Sequence, residues 1–155
     1  MPHIHDKIDF TVEVFVVYKN TVLLRKHDKY KVWLSVGGHI ELYEDPNQAA
    51  IREVKEEVGL DVILDDALRT FQKNEADYSE LIPPYFVNRH RINDKHEHVT
   101  FTYFAKTNSN KIEQLTEDEQ SSDCSWFTKE ELERLEDIRE SVKHYALKAL
   151  NVLEE

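Results

Sequence analysis

The clearest periodic signal lies near the start of the chain. Phe10–Tyr18 (FTVEVFVVY) is a run of β-branched and aromatic residues, which predicts a strand. Lys19-Asn20 suits a turn into Thr21–Arg25, a second strand that would close a hairpin. Val32–Val36 predicts a short third strand ending at Gly37-Gly38. The pattern then changes to a helical one. Asp45 suits an N-cap, Pro46 the first helical position, Gln48 completes a capping box and Gly59 suits the stop, so a helix is predicted from Pro46 to Val58. Within it, Ala50, Ile51, Val54 and Val58 share one arc, predicted to face the core.

The second half alternates less clearly. Strand character is present early in Asp61–Gln72, across Thr100–Lys106 and in Cys124–Phe127, whereas Asn74–Asn93, with Pro83-Pro84, reads as a long loop. Thr128 to Glu131 is a second capping box opening a short helix. A longer helix is predicted from Asp137 to about Leu153, with Val142, Tyr145, Ala149 and Leu153 on one face. Mixed strands with at least two helices imply an α/β or α+β sandwich, with helices on the two faces of a mixed sheet.

Composition narrows the function classes. A chain of 155 residues fits one domain over 1–155, and 40% hydrophobic with 33% charged residues fits a folded, globular protein. The net charge of -11 counts against nucleic acid bound through the whole surface, but it leaves open a phosphate-rich small molecule approached through metal ions. The longest apolar stretch, around Val14–Tyr18, is far short of a membrane span. The opening Met-Pro-His-Ile-His-Asp has no basic region or apolar signal core, so a cytoplasmic location is the default expectation. Cys124 is the single cysteine, which fits a reducing compartment, and it reads as a small, part-buried side chain.

The chemistry concentrates in GGHIELYEDPNQAAIREVKEEVGL, from Gly37 to Leu60. Glu53, Glu56 and Glu57 fall on an arc beside the apolar one, where they can line a cleft, and the small Ala49 among them would leave room for a ligand. Arg52 precedes Glu56 by one helical turn and can pair with it. A solvated acidic face is the ordinary alternative. Only Lys55 is interspersed to pair with these acids, however, and a glycine pair stands just before them. Oxygen ligands grouped with a backbone turn suit Mg²⁺ or Mn²⁺.

The same segment resembles the signature of the Nudix hydrolases, the MutT-like family: G-x5-E-x7-R-E-U-x-E-E-x-G-U, with U a bulky aliphatic residue. Gly38, Glu44, Arg52, Glu53, Val54, Glu56, Glu57, Gly59 and Leu60 meet it without departure. The flanks agree. Trp33-Leu-Ser-Val-Gly-Gly resembles the family's W-x-x-P-G-G lead-in, with Val36 where proline is common, and Ser125-Trp126-Phe127 ahead of Glu130-Glu131-Leu132 resembles its late tryptophan and acidic helix start. The resemblance implies a Nudix-type α/β/α sandwich with a central mixed β-sheet. It also implies hydrolysis of the pyrophosphate bond of a nucleoside diphosphate linked to another group.

By that resemblance Glu53, Glu56 and Glu57 hold Mg²⁺, with Mn²⁺ as a substitute. Glu44 reaches a metal, often through water, and a backbone carbonyl of the Gly37-Gly38 turn adds a ligand. Arg52 orients the glutamates. The general base is Glu53 or, as in other members, a carboxylate of a late loop; here Glu119 is the choice, with Gln120 standing where members often carry glutamate. On the substrate side the candidates are Gly38 and His39 beside the glutamates, Arg91 as a phosphate or base contact, and Tyr78. The distance of Tyr78 from Leu60 resembles the tyrosine spacing of diadenosine polyphosphate hydrolases.

His90, His96 and His98, within a total of eight histidines, alternate so that His96 and His98 would share a face; zinc is an option, although no closed four-ligand spacing is readable. Many family members are dimers, which leaves a homodimer open. Two other function classes compete with hydrolysis of a small nucleotide: a non-catalytic Nudix-like nucleotide-binding module, and an RNA-end hydrolase. The intact set of glutamates counts against the first, and the acidic charge against the second.

Overall fold

The computed structural model describes residues 4–27, 29–113 and 123–155. In chain order its elements are β1 (Ile8–Tyr18), β2 (Thr21–Lys26), β3 (Trp33–Leu34), β4 (Val36–His39), α1 (Pro46–Val58), β5 (Ile63–Leu64), β6 (Asn74–Glu75), β7 (Tyr78–Ser79), β8 (Phe86–Asn93), β9 (His96–Lys106), β10 (Cys124–Phe127), α2 (Lys129–Arg134) and α3 (Glu140–Val152). The long apolar run read from the sequence becomes the strand from which the sheet is built. One edge of β1 takes β2 at its end and β4 along its first half, both antiparallel. Its other edge runs parallel to β9, from Ile8 opposite Glu97 to Val17 opposite Lys106. β10 and β3 extend the sheet beyond β2, and β5 and β8 pair with β9.

Alternation along β1 sends its side chains to two different layers. Val12, Val14 and Val16 join Ala49, Ala50, Val54 and Val58 of α1 in one core. Phe15 and Val17 join Phe104 and the α3 residues Val142, Ala146, Ala149 and Leu150 in the other. Helices therefore cover both faces of a mixed sheet, the α/β/α arrangement that was expected. No helix among the described residues is long and apolar enough to cross a membrane.

Several local expectations hold. Lys19 and Asn20 both have positive φ, the geometry that a tight hairpin turn needs. Asp45 caps α1 with the reciprocal Gln48 bond, and Gly59 ends it in the left-handed region at φ 74°. A Cβ on Gly59 would also lie 2.6 Å from the Glu113 carbonyl oxygen, so glycine is required there twice over.

Others need correction. The glycine pair does not close a strand but lies inside β4, because the free edge of β1 pairs with it: Glu13 opposite Gly37, Val12 opposite Gly38. Residues 74–93 are not one loop. They hold the β6–β7 hairpin and all of β8, a largely exposed strand whose polar sequence hides its pairing with β9. β9 itself begins at His96, ahead of the predicted start at Thr100. Ile51 is 44% exposed, because the buried stripes of α1 are 49/53/57 and 50/54/58, which turns the buried arc away from it.

Phe104 has no exposed surface, stacks on Tyr85 with ring centroids 4.2 Å apart and meets Phe15 edge-on. Phe104→Ala is expected to cost about 3–5 kcal/mol of stability in denaturant unfolding; a loss below about 1 kcal/mol would contradict this packing.

Candidate active site

Two of the three glutamates on the acidic arc of α1 face inward, while Glu56 is exposed. Glu53 is 2% and Glu57 5% exposed, so neither belongs to a solvated face. Ala49 is fully buried in the core with Val54 and Val58 and lines no cleft, contrary to expectation. What admits two carboxylates beside that core is the glycine pair of β4. A Cβ on Gly38 would lie 2.3 Å from Glu53 Oε1, so only glycine lets Glu53 lie against the strand. The N–H of Gly37 donates to Glu57 Oε2 at 3.1 Å, and Arg25 of β2 approaches Glu57 Oε1 at 3.5 Å.

Burying like charges together is costly unless cations or donors offset it. Arg52 supplies much of that offset. Its Nη1 donates to Glu53 Oε1 at 3.1 Å and to Glu56 Oε2 at 3.0 Å. Its Nε and Nη2 hold Glu44, the closest contact being 2.6 Å, and Nη2 also donates to the His39 carbonyl at 2.9 Å. Burial pushes the Glu44 carboxyl up, but the Arg52 bonds and charge and the Glu41 N–H outweigh it, and the group lies below its ordinary range. The same contacts raise the Arg52 pKa, with the Glu44 hydrogen bond the leading cause, so it stays charged. Glu44, Glu53 and Glu56 thus share Arg52, and Glu57 lies beside them against Gly37 of β4; carboxylate oxygens are the donors that a hard divalent cation takes.

The remaining candidates lie elsewhere. The His39 side chain points to the opposite face of β4 from Glu53, its Nε2 standing 3.1 Å from Asp9 Oδ2. Tyr78 sits in the β6–β7 hairpin, its hydroxyl donating to Glu80 at 2.5 Å. Arg91 is exposed on β8, opposite Glu97. Glu119 lies outside the described residues. The chain leading to it is held at the end of α1, where the Glu113 N–H donates to the Val58 carbonyl at 2.9 Å. Cys124 is half-buried, and burial pushes its thiol up, as befits an inert side chain.

Three polar residues were not anticipated. Arg25 meets Glu57 only through the β2–β1–β4 pairing, and no local spacing announces it. Asp9 is 1% exposed and gathers histidines from two other strands. Glu13 lies within the most apolar strand, a mid-strand charge that could have been read as a signal. Its Oε1 accepts from Thr102 at 2.6 Å and its Oε2 from Ser35 at 2.8 Å. Burial nevertheless raises its pKa, the two hydroxyls offsetting part of the effect. Burial, and then the neighbouring His39, His90 and His96, push His98 down to about 4.

Comparison with known proteins bears on the family and the fold. The model of the NUDIX domain matches residues 9–148. A hydrolase of the NUDIX family from Clostridium perfringens superposes with a TM-score of 0.80 at 34% identity, covering 94% of this chain and 98% of that one. A MutT NUDIX hydrolase from Burkholderia pseudomallei, at TM-score 0.65 and 18% identity over 93% and 98% of the two chains, shares the fold. Among curated proteins, the dihydroneopterin triphosphate diphosphatase of Escherichia coli (strain K12) is 47% identical over 45 residues, 29% of this chain and 30% of the relative. That of Haemophilus influenzae is 37% identical over 78 residues, 48% and 49% of the two. The chain thus spans between 30% and 49% of the length of the curated relatives it matches.

Glu13 gives a pH test with a definite sign. Its folded pKa lies above the ordinary 4.5, so its contribution to stability is present below that value and is lost as pH rises through the folded pKa. Glu13→Gln removes the ionisation. The variant's stability relative to wild type is expected to climb between pH 4.5 and neutrality. Parallel stability curves for the two proteins would overturn the assignment.

Proposed function

The chain belongs to the NUDIX domain family, and from that premise we propose that it is a divalent-metal-dependent pyrophosphohydrolase. Its substrate would be a nucleoside triphosphate or a related derivative in which a nucleoside diphosphate is linked to another group. The observation that carries this reading is the burial of Glu53 and Glu57 against Gly37-Gly38, with Arg52 tying Glu53 to Glu44 and Glu56. A site that merely bound a nucleotide would have no need of two buried carboxylates with two more beside them, which repel a phosphate chain unless cations intervene.

In this reading Glu53, Glu56, Glu57, Glu44 and the Gly37 carbonyl hold Mg²⁺ or Mn²⁺. Once bound, the ions would neutralise phosphate oxygens, lower the pKa of a water and stabilise the leaving group. The protein's own part is positional. Arg52 fixes the carboxylate rotamers, and the Gly37 N–H orients Glu57. Water adds to one phosphorus and its proton passes to a carboxylate, for which Glu53 and Glu119 are the candidates. The bridging P–O bond breaks, with its electron pair remaining on the departing phosphate. Dihydroneopterin triphosphate, for which two curated relatives are named, is the first compound to try, followed by purine nucleoside triphosphates.

Pyrophosphate and phosphate release across triphosphates, dinucleoside polyphosphates and nucleotide sugars, with Mg²⁺ and with Mn²⁺, tests the proposal. Glu53→Gln is expected to lower kcat by about 10²–10⁴, the range for removal of an acid–base group, and Glu57→Gln, which removes a metal-holding carboxylate, by at least about 10-fold. Arg52→Lys, which cannot span the same carboxylates, is expected to lose about 10–100-fold. Full turnover in excess chelator would refute the metal dependence. Equal turnover in Glu119→Gln would leave Glu53 as the base.

A further inference from the structure

A second group of ligating side chains lies on the far side of β4 from the glutamates. Gly38 turns its backbone to Glu53 on the α1 face, and the next residue, His39, projects from the other face. There it meets Asp9 of β1 and His98 of β9. One ligand atom from each of the three lies within 4.8 Å of the other two. His96 approaches the same Asp9 oxygen, its Nε2 standing 3.3 Å from Oδ2, against 3.1 Å for His39 Nε2. The His98 ring meets those of His39 and His96 edge-on, with centroids 5.1 and 5.2 Å away.

We infer that Asp9, His39 and His98 form a binding site for Zn²⁺, with His96, which touches Asp9 but stands outside that group of three, moving in as the fourth ligand. Zinc takes imidazole nitrogen at about 2.0–2.1 Å and carboxylate oxygen at about 2.0–2.2 Å, so adjacent ligand atoms on a tetrahedral centre stand about 3.4 Å apart. The separations of Asp9 from His39 and from His96 are already close to that value, and the triad, whose atoms lie within 4.8 Å of one another, would close by up to about 1.4 Å. One carboxylate and imidazoles suit zinc better than Mg²⁺, which prefers an all-oxygen shell. The site is also supported from behind, as ligand sets generally are. Asp9 accepts from the Ile4 N–H at 3.1 Å and the His5 N–H at 2.7 Å, and His96 Nδ1 lies 3.2 Å from the Asp6 carbonyl. A bound ion would therefore tie the segment before β1 to β4 and β9. Its part would be structural and separate from the glutamate cluster.

The test uses the full chain, untagged and stripped of metal, titrated with Co²⁺. Stoichiometric, intense visible bands of tetrahedral cobalt, displaced by Zn²⁺, are expected. They should persist in the Glu53→Gln/Glu57→Gln double variant and weaken by at least about 10-fold in affinity in His98→Gln. Absence of the bands in wild type, or their loss in the double glutamate variant alone, overturns the proposal. Because His98→Gln could perturb folding, zinc-edge X-ray absorption on the wild-type protein gives an answer without any variant. Two or more imidazoles in the shell support the site, and an all-oxygen shell refutes it.

Discussion

A single guanidinium ties the glutamates of α1 to the loop and strand before it. Arg52 meets Glu44, Glu53 and Glu56 and the carbonyl of His39, so helix, preceding loop and strand β4 share one cation. Carboxylates gathered at this density repel one another, and two of them have almost no contact with water. The planar fork of arginine is suited to the role because it donates in several fixed directions while remaining charged. Glu44 is fixed in turn by the Glu41 N–H, so the loop between β4 and α1 is braced at both ends.

The other half of the arrangement is made of backbone. In β4 two residues without side chains allow α1 to approach until Glu53 fills the space that a Cβ at Gly38 would occupy. Alternation then gives His39 to the opposite layer. One short strand therefore separates two chemically different surroundings: carboxylate oxygens and arginines on the α1 side, imidazoles around Asp9 on the other. Both depend on the register of β4 against β1, and a slip of one residue would exchange their occupants.

How much of this was legible follows from where the information resides. α1 is specified locally, by caps at both ends and by the spacing of Glu53, Glu56 and Glu57, so it and its chemistry could be read directly from the chain. The strand β8 could not, since Asn88-Arg89-His90-Arg91 reads as polar loop until β9 pairs with it. Arg25, Asp9 and Glu13 become informative only through strand order and register, which bring together residues distant in sequence. The histidine alternation at 96 and 98 was visible; that His39 and Asp9 complete the group was not. His39 follows the glycine pair, which in the sequence points it to the glutamates, but strand alternation turns its side chain to the other face.

The parallel pairing of β1 with β9 has a consequence for the order of events during synthesis. Thr11 and Thr100, whose hydroxyls share a 2.7 Å hydrogen bond, are 89 residues apart. At about 5–20 residues per second, β1 waits on the order of 5–20 seconds for its partner to be made. In that interval β2 and β4 can settle along its other edge and α1 on its face, since all are nearby in sequence. The edge destined for β9 stays open, and it belongs to the most apolar strand in the chain. A nascent polypeptide with this topology passes through a stage in which its future centre is a bare strand edge. Its yield on the ribosome therefore depends on keeping that edge from other copies as much as on the stability of the finished fold.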